Sequence, residues 1–331
     1  MLLPLVVTEP GYRWQRNRFR IAAMRKLYFI LGCTACGKGS AGREIARRVG
    51  GQILSVDSMK IYRRMDIGTA KPSREVRAEI PHHCLDIVEP SESFSVARFV
   101  EYADRAVEQI RAAGAIPLAI GGTSLYIKAL AEGLFEGPAA DSDLRAKLAQ
   151  RADDEGLAVL HAELSWVDPE AAMRIHPNDQ RRILRALEVY QATGTPISQL
   201  QQQWDSNVQR FPCVFIGLRR PQEDLHRRIN LRVKKMVEMG LREEATALLG
   251  EQPPPGRQAA QAVGYAEIFE HLAGRCSFED AVERVKINTR QLAKKQRTWQ
   301  RRWQQVTWID CQSDETPGTI ADRVMAAVKF D

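Results

Sequence analysis

Five apolar residues in a row, Leu27-Tyr28-Phe29-Ile30-Leu31, run straight into Gly32-Cys33-Thr34-Ala35-Cys36-Gly37-Lys38-Gly39-Ser40, and this stretch constrains the fold more than any other. An uninterrupted apolar run reads as a strand buried on both faces, as in a parallel sheet. Residues 41–49 then read as a helix. Between the two, the spacing Gly32-x4-Gly37-Lys38 is that of a phosphate-binding loop of the nucleotide- and ATP-binding type. The chemistry needs those residues there. The glycines let bare N–H groups converge on an anion, the helix N-terminus adds partial positive charge, and the lysine reaches terminal phosphate oxygens. A chance glycine turn is the competing account, and the strand before it and helix after it weigh against that. The position after Lys38 ordinarily carries a hydroxyl for Mg2+, but here it is Gly39. That leaves the hydroxyl to Ser40, Thr34 or a water. The loop predicts a phosphate compound without saying which.

A chain of 331 residues, 44% hydrophobic and 27% charged, is sized for a globular protein with a large core and two domains. Its formal charge of +7 leans towards a polyanionic partner. Cys33, Cys36, Cys84, Cys213, Cys276 and Cys311 are scattered, the pattern of reduced cytosolic thiols. Cys33 and Cys36 make a C-x-x-C, but no second pair completes a zinc site, so they read as small loop residues. No segment approaches the ~20 apolar residues of a membrane span. Residues 1–25 read as a leader without fixed structure, or an over-long start before Met24.

Beyond the first helix, Gln52-Ile53-Leu54-Ser55-Val56 reads as a second strand that ends at Asp57. Ligands of open α/β sheets bind beyond the carboxyl ends of strands, so Asp57 is placed beside the phosphate loop as a general base or magnesium partner; a turn or cap aspartate is the plainer alternative. Lys71 reads as either an anion contact or a solvated lysine. Leu85-Asp86-Ile87-Val88 reads as a short strand, residues 94–113 as a helix, and Ile116-Pro117-Leu118-Ala119-Ile120 as another buried strand. Gly121-Gly122-Thr123-Ser124 opens the next helix, with Thr123 equally readable as cap or substrate contact. These repeats predict an α/β fold: a P-loop NTPase-like parallel sheet flanked by helices. Strand signals stop over residues 137–205, which read as a helical insertion domain bounded by Gln201-Gln202-Gln203. Asn178-Asp179 starts a helix carrying Arg181, Arg182 and Arg185. Residues 26–136 and 206–331 then form the catalytic core. Within it, 214–218 and 306–310 read as strands, 320–328 as the last helix, and 223–239 as a basic helix.

Residues 282–303 project into two faces. At about 100° per residue, Arg290, Lys294, Arg297 and Arg301 fall within roughly 60° of one another, opposite Val285, Leu292, Trp299 and Trp303. Residues 281–303 hold eight Lys/Arg and one acid, Glu283. The stripe predicts a cationic ridge for nucleic acid, with a solvated basic helix as the alternative.

At this point the chain resembles the tRNA dimethylallyltransferases, also called tRNA isopentenyltransferases. The motifs carrying the resemblance are the phosphate loop, 56–62, Met65-Asp66-Ile67-Gly68-Thr69-Ala70-Lys71-Pro72, 121–126, Pro177-Asn178-Asp179 with Arg185-Ala186-Leu187-Glu188, Val263-Gly264-Tyr265, and 289–299. The resemblance implies transfer of a dimethylallyl group from dimethylallyl diphosphate to the exocyclic amine of the adenosine beside the tRNA anticodon, releasing pyrophosphate. It implies Mg2+, a cytoplasmic location, no membrane, and a single chain working on the anticodon stem-loop. Residues 32–40 would hold the diphosphate, Asp57 would be the base, and Lys38 and Arg232 would hold the leaving group. Positions matching tRNA contacts are Asp57, Ser58, Met59, Lys60, Thr123, Arg145, Arg181, Arg182, Ile183, Leu184, Arg185, Gln261, Ala262, Val263, Gly264, Tyr265 and Ala266. The ridge at Arg290, Lys294 and Arg297 would join them. Gly39 departs from the Ser or Thr usual in the family, Cys33 from a frequent Pro, and Lys60 from other residue types. A small-molecule kinase, a prenyltransferase of free AMP or ATP, and a non-catalytic RNA-binding protein share parts of this pattern. The ridge argues against the first two, and intact Lys38 and Asp57 against the third.

Overall fold

The computed structural model describes residues 26–134, 137–138, 141–201, 209–301, 303 and 305–331. The leader at 1–25, the boundaries drawn at 136 and 206, Gln202, Gln203 and Arg302 lie outside the described residues. One sheet of six parallel strands organises the molecule: β1 (Leu27–Leu31), β2 (Gly51–Val56), β3 (His82–His83), β4 (Ile116–Gly121), β5 (Cys213–Arg219) and β6 (Val306–Asp310), in the order β3-β2-β4-β1-β5-β6. β1 lies between β4 and β5, and all five of its residues are fully buried. Its side chains alternate. Leu27, Phe29 and Leu31 enter one core layer, and Tyr28 and Ile30 the other. Phe29 stacks on Phe215 of β5, ring centroids 4.9 Å apart.

The Tyr28 layer is covered by α1 (Lys38–Val49), α10 (Gln222–Glu238) and α15 (Pro317–Ala327), through Ile45, Leu225, Ile229, Val233 and Ile320. The Phe29 layer is covered by α3 (Val96–Ala112), α4 (Ser124–Glu132), α11 (Leu241–Leu249) and α13 (Tyr265–Leu272), with Phe99 stacked on Tyr126 at 4.1 Å. The short helices α2 (Arg74–Glu79) and α12 (Arg257–Ala260) sit in connections, and the long α14 (Phe278–Gln300) packs against α10 and α13.

Five helices form a body with its own core: α5 (Ser142–Asp154), α6 (Leu157–Val167), α7 (Pro169–Arg174), α8 (Gln180–Thr193) and α9 (Ile197–Leu200), packed through Leu148, Leu160, Leu164, Ile183 and Leu187. Buried Asp168 holds it together. Its Oδ1 accepts from Ala171 N–H at 2.9 Å, capping α7, and its Oδ2 from Ser198 N–H at 2.9 Å. Asp179 caps α8 by accepting from Arg182 N–H at 3.2 Å, where the sequence placed a helix start.

Two elements differ from the sequence reading. The edge strand is His82–His83, not residues 85–88. Cys84 and Asp86 take left-handed backbone, φ 60° and 53°, which bends the chain off the sheet and leaves Val88 only an isolated bridge to Tyr62. The inward stripe of α14 is Ala281, Val285, Thr289, Ala293 and Gln300, while Leu292 is 37% exposed. Small residues let α14 approach the phosphate loop closely, and the apolar face read from the projection is rotated away from it.

Candidate active site

A cavity of about 700 Å3 opens at the carboxyl ends of β1, β2 and β4. The phosphate loop forms one wall. Gly32 and Gly37 have φ of +155° and +100°, and a Cβ on Gly32 would lie 2.4 Å from Cys36 Sγ, so a side chain there is excluded. Cys33 and Cys36 are buried free thiols within the loop. Lys38 Nζ donates to Cys33 O at 3.1 Å, folding the lysine back over the loop.

The loop is braced from three sides. Buried Arg220 donates from Nε to Cys36 O at 2.8 Å and is itself held by Asp224 at 3.0 Å. From α10, Arg228 donates to Ala35 O at 2.8 Å and Arg232 to Thr34 Oγ1 at 3.2 Å. They stand one turn apart, beside the buried Leu225-Ile229-Val233 stripe. From α14, Gln296 accepts from Thr34 N–H at 2.7 Å and donates to Gly122 O at 3.0 Å, clamping the first glycine loop to the second.

Opposite the loop stands Asp57. Its Oδ1 accepts from Met59 N–H at 3.0 Å and Lys60 N–H at 3.4 Å, while Oδ2 has no hydrogen-bond partner among the described residues. One oxygen thus holds the turn, as a plain turn aspartate would, and the other is left for chemistry. Lys38, Arg43, Lys60, Arg228 and Arg232 also line the cavity, none of them paired to a carboxylate among the described residues. Burial pushes the Lys60 ammonium down to about 8, against the pull of Asp57, with Arg232, Lys38 and Arg43 adding to the depression. Burial also lowers Arg232 and Arg43 from the ordinary guanidinium value. Uncompensated cations of this density in one cleft mark an anion site. Arg43 and Arg220 are absent from the sequence reading, which holds Arg228 only as part of the basic helix 223–239 and Gln296 only within the 289–299 motif, neither with a role at the loop. The i+4 spacing from Gly39 to Arg43 and from Arg228 to Arg232 is the signal that would have found two of them.

The other predicted residues divide. Met59, Ala262 and Val263 line the cavity. Thr123 stands at the start of α4 but does not cap it; its Oγ1 accepts from Ser58 N–H at 3.1 Å, fixing the turn that carries Asp57. Lys71 is neither solvated nor free for an anion. Its side chain is fully buried, paired with Asp66 at 2.5 Å and Asp86 at 2.6 Å. Tyr265 is buried, donating to Glu244 at 2.5 Å and accepting from Gly68 N–H at 3.2 Å, and Gly264 beside it is buried too, so both belong to the support of the 66–68 loop rather than to a contact surface. Gln261 is exposed and Ala266 half-buried.

In the helical body, Arg181 and Arg182 are exposed, but Ile183 and Leu184 are core residues, and their side chains offer nothing for an RNA to touch. Arg145 and Arg185 converge on buried Glu188 at 2.7 and 3.2 Å. Burial pushes that carboxyl up, and the two arginines outweigh it and hold it below its usual range. On α14, Lys294 and Arg301 are exposed, Arg290 is half-buried and donates to Asn230 Oδ1 at 2.7 Å, and Arg297 is half-buried beside Cys33 and Arg220.

The donor set near the loop does not fit a divalent cation held by the protein. Ser40 Oγ donates to Gly37 O at 3.0 Å, Thr34 Oγ1 is taken by Arg232, Gly39 has no hydroxyl, and Asp57, the one carboxylate among the described residues lining the cavity, stands among cations. Among the described residues no cluster of three or more His, Cys, Asp or Glu is placed to hold a metal ion.

A parallel sheet with a glycine loop and helix N-terminus after its central strand, an arginine brace over that loop and a carboxylate facing it define a P-loop α/β protein whose substrate carries phosphate. The chain belongs to the IPP transferase family, whose profile matches residues 60–303. It is 44% identical over 303 residues to a tRNA dimethylallyltransferase of Geobacter metallireducens, covering 92% of this chain and 96% of that one. It is 43% identical to the Geobacillus kaustophilus tRNA dimethylallyltransferase, covering 86% and 90%. Among solved structures it is similar to the full-length tRNA isopentenylpyrophosphate transferase of Bacillus halodurans, with a TM-score of 0.67, 39% identity, and 92% and 96% of the two chains covered. A eukaryotic dimethylallyltransferase acting on tRNA gives a TM-score of 0.75 at 28% identity, covering 92% of this chain and 78% of that one.

Proposed function

We propose that this chain transfers a dimethylallyl group from dimethylallyl diphosphate to the exocyclic amine of the adenosine 3′-adjacent to the anticodon of tRNA, giving isopentenyladenosine and pyrophosphate. The observation that carries the mechanism is the meeting in one cavity of five cations without carboxylate partners and a single carboxylate with one free oxygen. In this reading the diphosphate lies against residues 32–40, Lys38 and Arg232. As the allylic C–O bond breaks, its electron pair passes to the diphosphate oxygen, and the surrounding cations stabilise that charge. The adenine amine forms the new C–N bond and gives its proton to Asp57 Oδ2. An exocyclic aromatic amine is a weak nucleophile, so positioning and proton removal after attack contribute more than a shifted base. The adenosine leaves its stack to reach the cavity. Lys294, Arg301, Arg181 and Arg182, exposed on α14 and α8, would take tRNA phosphates, which fix register rather than sequence. Mg2+ enters this reading only as a counter-ion of the diphosphate in solution, since the cavity offers it no ligand set of its own among the described residues. A cytoplasmic monomer completes the proposal, in keeping with six free cysteines and with no described helix long and apolar enough to cross a membrane.

The test is a transfer assay with labelled dimethylallyl diphosphate, offering unmodified tRNA, AMP or buffer, with ATP hydrolysis followed alongside. Label is expected in tRNA alone. The Asp57→Ala chain should lose nearly all transfer, about 10^2- to 10^4-fold, while binding tRNA within a few-fold. Label in AMP, or ATP turnover without label, overturns the reading.

A further inference from the structure

The unusual feature of the cavity is the coincidence of Gly39, Arg43 and Lys60. Gly39 stands where the phosphate-loop pattern calls for a metal-binding hydroxyl. A Cβ built on Gly39 would lie 3.7 Å from Arg43 Nη1, ordinary van der Waals contact. The guanidinium therefore sits against the place where the missing side chain would begin. Arg43 is one turn further along α1, on the same face. The next arginines on that helix, Arg47 and Arg48, are tied to Glu44, Glu79 and Asp322, but Arg43 forms no ion pair or hydrogen bond among the described residues. Lys60 approaches from the opposite wall, likewise without a hydrogen-bonded partner for its ammonium.

Charge balance says what these two groups are for. With Lys71 set aside because Asp66 and Asp86 neutralise it, five unpaired cations against Asp57 leave the lining four charges positive, whereas a diphosphate ester brings about three negative charges. The residues already match the anion, and a divalent cation in the same space would add a charge with nothing to offset it. Unpaired buried cations cost stability, and their natural compensation is a ligand of opposite charge.

We propose that Arg43 and Lys60 bind the diphosphate directly and supply the positive charge that a hydroxyl-held divalent cation would supply in a phosphate loop carrying Ser or Thr at position 39. The proposal rests on the reading of the cavity as a diphosphate site. It makes both residues part of the leaving-group machinery: when the C–O bond breaks, its electron pair settles on an oxygen held by Arg43 and Lys60 as well as by Lys38 and Arg232. It predicts that diphosphate binding by this chain has little need of Mg2+.

The experiment is calorimetric titration of the full chain with inorganic pyrophosphate, once in excess Mg2+ and once in chelator. The expected result is a Kd in chelator within about fivefold of that in Mg2+; a larger loss overturns the proposal. The Arg43→Gln, Lys60→Gln double variant should bind at least about tenfold more weakly in chelator and recover affinity on adding Mg2+, whereas the charge-conserving Arg43→Lys, Lys60→Arg pair should stay close to the parent. A double variant that folds and binds as tightly as the parent in chelator also overturns it. Should that variant fail to fold, the parent titrations alone decide. The reading of function is judged separately by label transfer to tRNA, so either can fail while the other stands.

Discussion

α10 and α14 pack side by side and are both basic, yet they meet the phosphate loop with different groups. On α10, Arg228 and Arg232 point inward and hold the phosphate loop by Ala35 O and Thr34 Oγ1. On α14 and its C-cap, Lys294 and Arg301 point to solvent, and the hydrogen bonds to the phosphate loop come from a neutral residue, Gln296, bonded to Thr34 N–H and Gly122 O. A buried guanidinium is destabilising until an anion arrives, so its position is set by the ligand. A solvated cation costs little and acts over a Debye length, so it suits a long polyanion whose register is fixed elsewhere. Counting basic residues does not separate the two roles; the residue each faces does.

The comparison breaks most visibly at Arg232. Arg232→Ala removes a charge from the leaving group and should lower kcat/KM about 10^2- to 10^3-fold, without altering the salt dependence of tRNA binding. Steady-state transfer at several salt concentrations checks both halves. A loss under about tenfold would mean that α10 only scaffolds the loop.

How much of this was legible beforehand follows the same line. The phosphate loop, Lys38 and Asp57 could be read because backbone constraints write them locally: an apolar run, glycines at fixed spacing, and a carboxylate at a strand end. Five of the six strands were placed for the same reason. Relationships between distant segments were not legible. Lys71 looked free because Asp86, which neutralises it together with Asp66, is fifteen positions on. Thr123 read equally as cap or substrate contact because its bond to Ser58 N–H joins turns at the ends of two strands. The ridge on α14 was drawn from periodicity alone, which fixes which residues share a face but not which face meets the core. Four evenly spaced cations therefore read as one surface, when Arg290 in fact bonds Asn230 and Arg297 faces inward beside Arg220.

The outer half of the comparison is sharpened by separating those four. Lys294→Ala with Arg301→Ala should weaken tRNA binding roughly five- to tenfold at low salt and reduce the slope of log K against log salt by about one to two. Arg290→Ala should leave the slope nearly unchanged and instead destabilise the fold by about 1 kcal/mol, through loss of its bond to Asn230. Salt-dependent binding isotherms and thermal melts distinguish these outcomes, and equal slopes for all variants would remove α14 from the RNA surface.

The smallest effect lies in the inner group and turns on pH. The Lys60 ammonium faces Asp57 across the turn, Lys38 and Arg43 on α1 and Arg232 on α10, and burial holds it at about 8 in the empty cavity. His82 beyond it is pushed down to about 4, first by burial, and stays neutral through this range. Below about 8 the ammonium is charged and contributes to pyrophosphate binding; as pH rises through that value the proton is lost and the contribution fades. The ratio of parent to Lys60→Gln affinity, which cancels the ligand's own ionisation, should therefore fall a few-fold between pH 7 and 9. Folding stability of the empty chain should move the other way. The unfolded lysine keeps its proton up to about 10.4 while the folded one has released it, so the unfolded state binds more protons and stability rises with pH across that window. A ratio that stays flat while stability rises would show that Lys60 is buried in the cavity without touching the anion, and would place it with Gln296 as a neutral support rather than with Arg232.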